Sequence, residues 1–203
     1  MSGIIGDNLG RSGGLVKAVS AAGGSYTHIK TVTLSSGVSS VDFIDGTSDV
    51  VMDTTYPRYL IEFDRLGAAT ADQLIEARVT GDGGSSWLTA TADHFNVRAG
   101  FKADGSTTSD AGSWNNGEFV TLTANSAIQD FHGMSGQLHL YGVGVSTRPM
   151  CAGHIASWGN HGIAYVVMGV HNATLTMDGI QFICNNGSTN LDSGSISLYG
   201  ISR

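Results

Sequence analysis

About a dozen short runs of alternating apolar and polar residues, separated by clusters of turn residues, constrain the fold of this chain most strongly. Successive side chains of a strand point to opposite faces, so a run of this kind predicts a half-buried strand. No βαβ rhythm is present, and turn signals separate one run from the next. The pattern therefore predicts an all-β fold, an antiparallel β-sandwich of jelly-roll-like type.

The predicted strands follow from these runs, and one Ala-rich segment, residues 67–72, is expected to form a single helical turn. The runs cover residues 27–34, 41–44, 50–52, 58–63, 74–80, 87–92, 120–123, 137–145, 154–158, 163–170, 175–177, 180–184 and 195–201.

Composition excludes several classes of protein. Charged residues make up 13% of the chain, against about 25% in an average soluble domain, which disfavours helices with charged faces. Ten basic residues against seventeen acidic ones leave no basic surface for nucleic acid. Because no run approaches eighteen apolar residues, we expect no membrane insertion.

Residues 1–25 differ from the rest and are expected to form a glycine-rich N-terminal arm for docking or attachment, ahead of a sandwich domain at residues 26–203. The arm has no basic region followed by an apolar stretch, so we expect no signal peptide. It cannot form a core of its own, because its apolar residues are isolated. These candidate attachment residues are Ile4, Ile5, Leu9, Leu15 and Val16.

Charge is unevenly distributed along the sequence. Residues 1–126 carry fourteen acidic and eight basic residues, whereas residues 127–203 carry three acidic and two basic ones. Interfaces are depleted in Lys, Asp and Glu, so the C-terminal part is expected to be covered by copies of the same chain. The alternative is a surface solvated by hydroxyls, amides and backbone.

Two segments form a near-repeat, SGQLHLYGV at residues 135–143 and SGSISLYGI at residues 193–201. Alternation places Leu138 and Leu140 on one face of the first copy, and Ile196 and Leu198 on the same face of the second. The repeat predicts two equivalent strands of one sheet.

The segment TGDGGSSW, residues 80–87, resembles an Asp-box, the hairpin found repeatedly in sialidase-like propellers. Asp82 can accept backbone N–H bonds, Gly83 and Gly84 can adopt positive φ, and Trp87 can anchor a following strand. A propeller would need several copies, so we interpret this single copy as a structural turn.

Residues able to support catalysis or hold a metal are not arranged in known motifs. Five of the seven histidines lie between residues 132 and 171, but without paired zinc-ligand spacing, so neither a metal nor another cofactor is expected. A metal held on a symmetry axis of an oligomer stays open. No G-x-S-x-G occurs, and Glu62 and Glu76 are interpreted as charges on solvent-facing strand positions. Cys151 and Cys184 are expected to be buried thiols, with a disulfide between them left open.

Two tryptophans, Trp114 and Trp158, each lie in a Gly- and Asn-rich segment that is expected to be a loop tip. An exposed Trp there suits stacking on a sugar. It suits equally the closure of a sandwich corner, so both roles remain open.

Three blocks carry a resemblance to a known group of proteins: GDNLGRSGGLVKA at residues 6–18, YPRYLIEFDRL at residues 56–66 with the TGDGGSSW turn beyond it, and SGSISLYGI. They resemble small virion proteins of tailed bacteriophages, especially of marine and cyanobacterial phages. The resemblance covers most of the length, but residues 96–130 and 146–172 match no block.

The resemblance implies a non-enzymatic virion structural protein, assembled in the host cytoplasm. It favours a homotrimeric tail-fibre component that contacts a receptor, attached to other virion proteins by the N-terminal arm. A capsid decoration protein is the alternative, and a glycan-active enzyme or lectin is the third candidate. The implied partners are further copies of the chain, other virion proteins and a host surface glycan.

Overall fold

The computed structural model describes residues 25–71, 73–90, 92–123, 133–158 and 162–202, with the side chains of residues 107–116 and 158 left aside. The expected arm, including Ile4, Ile5, Leu9, Leu15 and Val16, therefore lies outside the described residues, except for Ser25. No helix in this part of the chain is long and apolar enough to cross a bilayer.

Twelve strands are present in the described residues. They are β1 (Tyr26–Leu34), β2 (Ser40–Ile44), β3 (Arg58–Ala68), β4 (Ile75–Thr80), β5 (His94–Lys102), β6 (Thr107–Asn116), β7 (Val120–Thr121), β8 (Met134–Tyr141), β9 (Met150–Trp158), β10 (Gly162–His171), β11 (Gly179–Cys184) and β12 (Leu191–Ile201).

The strands form two sheets that enclose one core. Eight of them pair in the order β1-β12-β3-β8-β9-β10-β5-β6, and four in the order β2-β11-β4-β7. All the strand pairs are antiparallel. The predicted all-β sandwich is thus confirmed. Its sheets are unequal, whereas a jelly roll divides eight strands between two sheets.

Aromatic rings join the two sheets at the centre of the core. Phe182 of β11 makes edge-to-face contacts with Phe43 of β2, at 6.4 Å between ring centroids, and with Phe63 of β3, at 5.3 Å. All three rings are buried. Aromatic pairs in this geometry add to the stabilisation from apolar burial, so they fix how the small sheet sits on the large one.

The near-repeat forms β8 and β12, which pair with the two edges of the same strand, β3. Leu138, Leu140, Ile196 and Leu198 are all fully buried, which confirms both the shared sheet and the inward face.

Steric contacts explain why each copy of the near-repeat has a glycine after its first serine. A Cβ added at Gly136 would lie 2.2 Å from the carbonyl oxygen of His154, and one added at Gly194 would lie 2.2 Å from that of Arg65. A real side chain does not tolerate such contacts with backbone, so glycine is required at both positions.

Most predicted strands are present, but four segments differ. Residues 50–52 and 87–92 form no strand where they are described, and residues 175 and 177 make only isolated bridges. Residues 67–68 continue β3 and residues 69–71 form bends, so the expected helical turn is wrong. Leu88 still donates its N–H to the carbonyl of Val79, which keeps the segment after Trp87 against the sandwich.

Strands β5 and β6 were absent from the sequence prediction. In β5 the usual polarity is inverted, because the outward residues Val97 and Phe101 are apolar and exposed, while Asn96 and Arg98 point inward. The Arg98 guanidinium lies over the Tyr165 ring, 5.7 Å from its centroid, and donates to the carbonyl of Thr123. This polar pairing satisfies the inward charge between the sheets.

Candidate functional site

The eight-stranded sheet packs on the four-stranded sheet with one face only. We term its other face, which points away from the four-stranded sheet, the outer face. Strand pairing aligns its side chains in rows across the sheet. One row runs Val97, Met168, Ala152, His139, Leu60, Tyr199, His28, and the next runs Ala99, Val166, His154, Gln137, Glu62, Ser197, Thr31. Each row changes from apolar at β5 and β10 to polar and aromatic at β12 and β1.

The apolar half of the outer face exposes large side chains to solvent; we term this group the apolar patch. Its members and their exposed fractions are Val97 41%, Phe101 66%, Met150 40%, Val166 52% and Met168 40%. Small residues at 99, 152, 156 and 164 fill the positions between them. A soluble monomer rarely exposes a large contiguous apolar surface of this kind.

The polar half contains a depression of about 340 Å³ that spans β1, β12, β3 and β8; we term it the tyrosine pocket. Its lining residues are Tyr26, Leu60, Glu62, Gln137 and Tyr199. A second depression, of about 450 Å³, lies at one end of the sandwich, and its lining includes Tyr56, Pro57 and Val145.

The sequence did not single out the tyrosine pocket, because its residues come from four strands that are distant along the chain. One signal for it was present. Tyr199 and its near-repeat equivalent Tyr141 fall on the face opposite the buried leucines, which places both tyrosines on the outer face.

The TGDGGSSW segment forms the expected tight turn. The Asp82 carboxylate accepts hydrogen bonds from the hydroxyls of Thr80, at 2.7 Å, and Ser86, at 2.6 Å, and from the Ser86 N–H. These bonds lower the pKa of Asp82 to about 2. Gly83 and Gly84 have φ of 69° and 79°, as expected. The carboxylate therefore closes the turn, which is a structural role.

Of the two tryptophans, Trp114 does not lie in the loop that the sequence predicted, whereas Trp158 ends a strand that was predicted at residues 154–158. Trp114 is within β6, which extends through Asn116, and Trp158 is the last residue of β9. The prediction of a loop tip is therefore wrong for Trp114, because Asn115 and Asn116 continue the strand. Their side chains are outside the described part, so glycan contact by either Trp stays a prediction.

Two histidines meet across β5 and β10. The rings of His94 and His171 are buried and 5.1 Å apart, and His94 also meets Phe119 edge-to-face. Burial lowers the pKa of His171, and the neighbouring Asp93 partly offsets this. Among the described residues, no three His, Cys, Asp or Glu side chains come close enough to hold a metal. His132 and His161 lie outside those residues.

The two glutamates that the sequence placed on solvent faces behave differently. Glu62 is half-buried on the outer face, where its Oε1 accepts a hydrogen bond from Gln137 Nε2 at 3.0 Å. Glu76 is 4% exposed, so the prediction that it occupies a solvent-facing position is wrong. Its Oε2 accepts the N–H of Asn186 at 2.9 Å, and burial raises the pKa of this carboxyl.

A buried charged cluster explains the burial of Glu76. Arg78, two residues along β4, lies 3.8 Å from the carboxylate of Glu118 and donates to the side chain of Asn186. The carboxylates are therefore balanced by a cation and by hydrogen bonds, as buried charges require.

Both cysteines are free and buried, as expected. Burial raises the pKa of the Cys184 thiol to about 12 and that of Cys151 further still. A thiol of this kind stays protonated and is a poor nucleophile.

Comparison with known proteins adds no relative. No protein-family model matches the chain, and no curated protein is significantly similar to it. The protein is an all-β sandwich. The outer face of its large sheet has one apolar half and one half that is polar and aromatic.

Proposed function

We propose that this chain is a non-enzymatic structural protein of a tailed-bacteriophage virion, and that its subunits associate into a homotrimer through the apolar patch. The observation that carries the proposal is the apolar patch itself, because three of its five members, Met150, Val166 and Met168, lie on β9 and β10, two strands without a charged residue. A tail-fibre component that contacts a receptor is the leading role.

Charge is absent from three adjacent strands of the large sheet. The 8 residues of β8, the 9 of β9 and the 10 of β10 make 27 residues without Asp, Glu, Lys or Arg. Charged side chains are what keeps an exposed sheet face solvated and free of partners. Their absence favours the interface over a face solvated by hydroxyls and amides.

The size of this surface suits a protein partner. Strands β9, β10, β5 and the neighbouring edge strand β6 span about 20 Å across and about 30 Å along the sheet, or about 600 Å². A standard interface buries about 800 Å² per partner. A second copy of the chain is the occupant that we propose, because the charge-poor part of the sequence already predicted self-association.

The virion assignment and the threefold symmetry come from the resemblance of the three sequence blocks. In that arrangement the N-terminal arm attaches the trimer to other virion proteins. A capsid decoration protein would use the same sandwich and the same arm at another place on the particle.

Deleting residues 1–22 tests the role of the arm. The deletion should leave a folded domain that fails to join the virion. Unfolding of the shortened chain would instead make the arm part of the sandwich.

A non-enzymatic role is supported by the described polar groups. Asp82 closes a turn, Glu76 and Glu118 balance Arg78, and the two thiols are buried. The rival is an enzyme or lectin that acts on surface glycans. Incubation with host polysaccharide separates them, because release of oligosaccharide would support the enzyme and contradict the structural role.

Two charge substitutions test the interface. Val166→Lys places a charge at the centre of the apolar patch, and Thr33→Lys places the same charge on exposed β1 of the same sheet. We expect sedimentation equilibrium to show trimers for the Thr33 variant and dissociation for the Val166 variant. Both variants should keep the far-ultraviolet spectrum of the parent. Equal assembly of the two variants would contradict the proposed interface.

A further inference from the structure

We propose that the tyrosine pocket binds one neutral pyranose unit of a glycan. This goes beyond the proposed function, because the pocket lies on the polar half of the outer face and does not depend on association through the apolar patch.

Two tyrosine rings form walls of the pocket. Tyr26, on β1, is 60% exposed, and Tyr199, on the neighbouring strand β12, is half-buried. The His28 ring meets Tyr199 edge-to-face at 5.4 Å, and the His28 Nε2 is 2.8 Å from the hydroxyl of Thr31. These contacts hold the Tyr199 ring in place before a ligand arrives, which reduces the entropy lost on binding.

The floor of the pocket is apolar. Leu60 points to the outer face, yet it is only 3% exposed, because it lies in register between Tyr199 of β12 and His139 of β8. An apolar floor between aromatic walls suits the C–H face of a sugar ring, which buries apolar surface there.

The polar edge is built from Glu62 and Gln137, which face each other across β3 and β8. The hydrogen bond from Gln137 Nε2 to Glu62 Oε1, at 3.0 Å, fixes the carboxylate. A carboxylate has about four acceptor sites, and the Gln137 amide has a second N–H and an acceptor oxygen. This edge therefore presents both donors and acceptors, the set that adjacent sugar hydroxyls require.

The pocket dimensions and charge narrow the ligand class. A volume of about 340 Å³ is at the small end of ligand sites, which suits one ring with the rest of a glycan outside. The Glu62 carboxylate would repel an acidic sugar, and the lining of the tyrosine pocket includes no Lys or Arg to offset that repulsion. A quaternary ammonium group would satisfy the rings and the carboxylate, but it has no N–H to donate to the Gln137 amide oxygen and no acceptor for the second Gln137 N–H. A neutral hydroxylated ring is therefore favoured.

The test is a calorimetric or NMR titration of the full chain with glucose, galactose and mannose, alongside glucuronate and choline. We expect at least one neutral hexose to bind at millimolar concentration, and glucuronate to bind at least tenfold more weakly. Tighter binding of choline or glucuronate, or no binding by any of these probes, would overturn the proposal.

Three variants locate the binding. Glu62→Gln keeps the shape of the side chain and removes its charge, so hexose affinity should fall at least tenfold. Tyr199→Ala should abolish binding, whereas Tyr141→Ala, at the equivalent position of the near-repeat but outside the pocket lining, should preserve it. Because Tyr199→Ala could lower stability, Glu62→Gln is the deciding variant. Unchanged affinity in Glu62→Gln would place the sugar elsewhere.

Discussion

The substitution Leu198→Ala tests whether the near-repeat forms the core as described. Leu198 is fully buried on β12, opposite Ile61 of β3. β12 pairs with β1 on one edge and with β3 on the other, so its backbone cannot move inward to fill a cavity. Loss of a buried leucine side chain costs about 2–5 kcal/mol, and the constrained site favours the upper half of that range.

Urea unfolding at a fixed protomer concentration measures this loss. With a slope of about 2 kcal/mol per M, a loss of about 3.5–5 kcal/mol lowers the midpoint by about 1.8–2.5 M. The control is Thr33→Ala, an exposed position on β1, which should change stability by less than about 0.5 kcal/mol. A loss below about 1 kcal/mol for Leu198→Ala would refute the buried position.

Three further predictions follow from other parts of the sandwich. Asp82→Ala should lower the urea midpoint near neutral pH. Because the fold lowers the pKa of Asp82 from the ordinary 3.8 to about 2, the ionised carboxylate stabilises the protein fully above pH 3.8, and this stabilisation is lost as the pH falls through about 2. The difference in midpoint between variant and parent should therefore vanish in acid. Gly153→Ala should destabilise the pairing of β8 with β9, because the added Cβ would lie 2.1 Å from the carbonyl oxygen of Gln137. In a hydrogen-exchange experiment, the backbone amides of both strands should then exchange faster than in the parent. Cys151 and Cys184 should be unreactive towards a thiol reagent in the native protein and should titrate as two thiols after unfolding; rapid native reaction would contradict their burial.

The sequence predicted the fold class and most strands because ordinary alternation marks them. In β12, for example, Ile196 and Leu198 are buried while Ser195 and Ser197 are not, as a half-buried strand requires. The same rule failed for β5, where Arg98 points inward and Phe101 points outward. A pattern that reverses polarity carries no signal of which face is buried until the partner strands are known.

The surfaces were predictable only in part, for a related reason. Depletion of charge after residue 126 indicated an uncharged surface, and the structure places much of it on β8, β9 and β10. The tyrosine pocket depends on register between strands far apart in the chain, such as the pairing of Glu62 with Gln137. Local sequence does not encode that pairing, so the outward tyrosines of the near-repeat were the one signal of the pocket that the sequence carried.

Sedimentation equilibrium of the unmodified chain at micromolar concentration tests the central proposal, that its subunits associate through the apolar patch. The chain mass is 21.0 kDa, so a trimer has three times that mass, about 63 kDa. We predict a species of that mass that persists on dilution through the micromolar range. A single species at 21.0 kDa would contradict the association, and the apolar patch would then be a solvated surface.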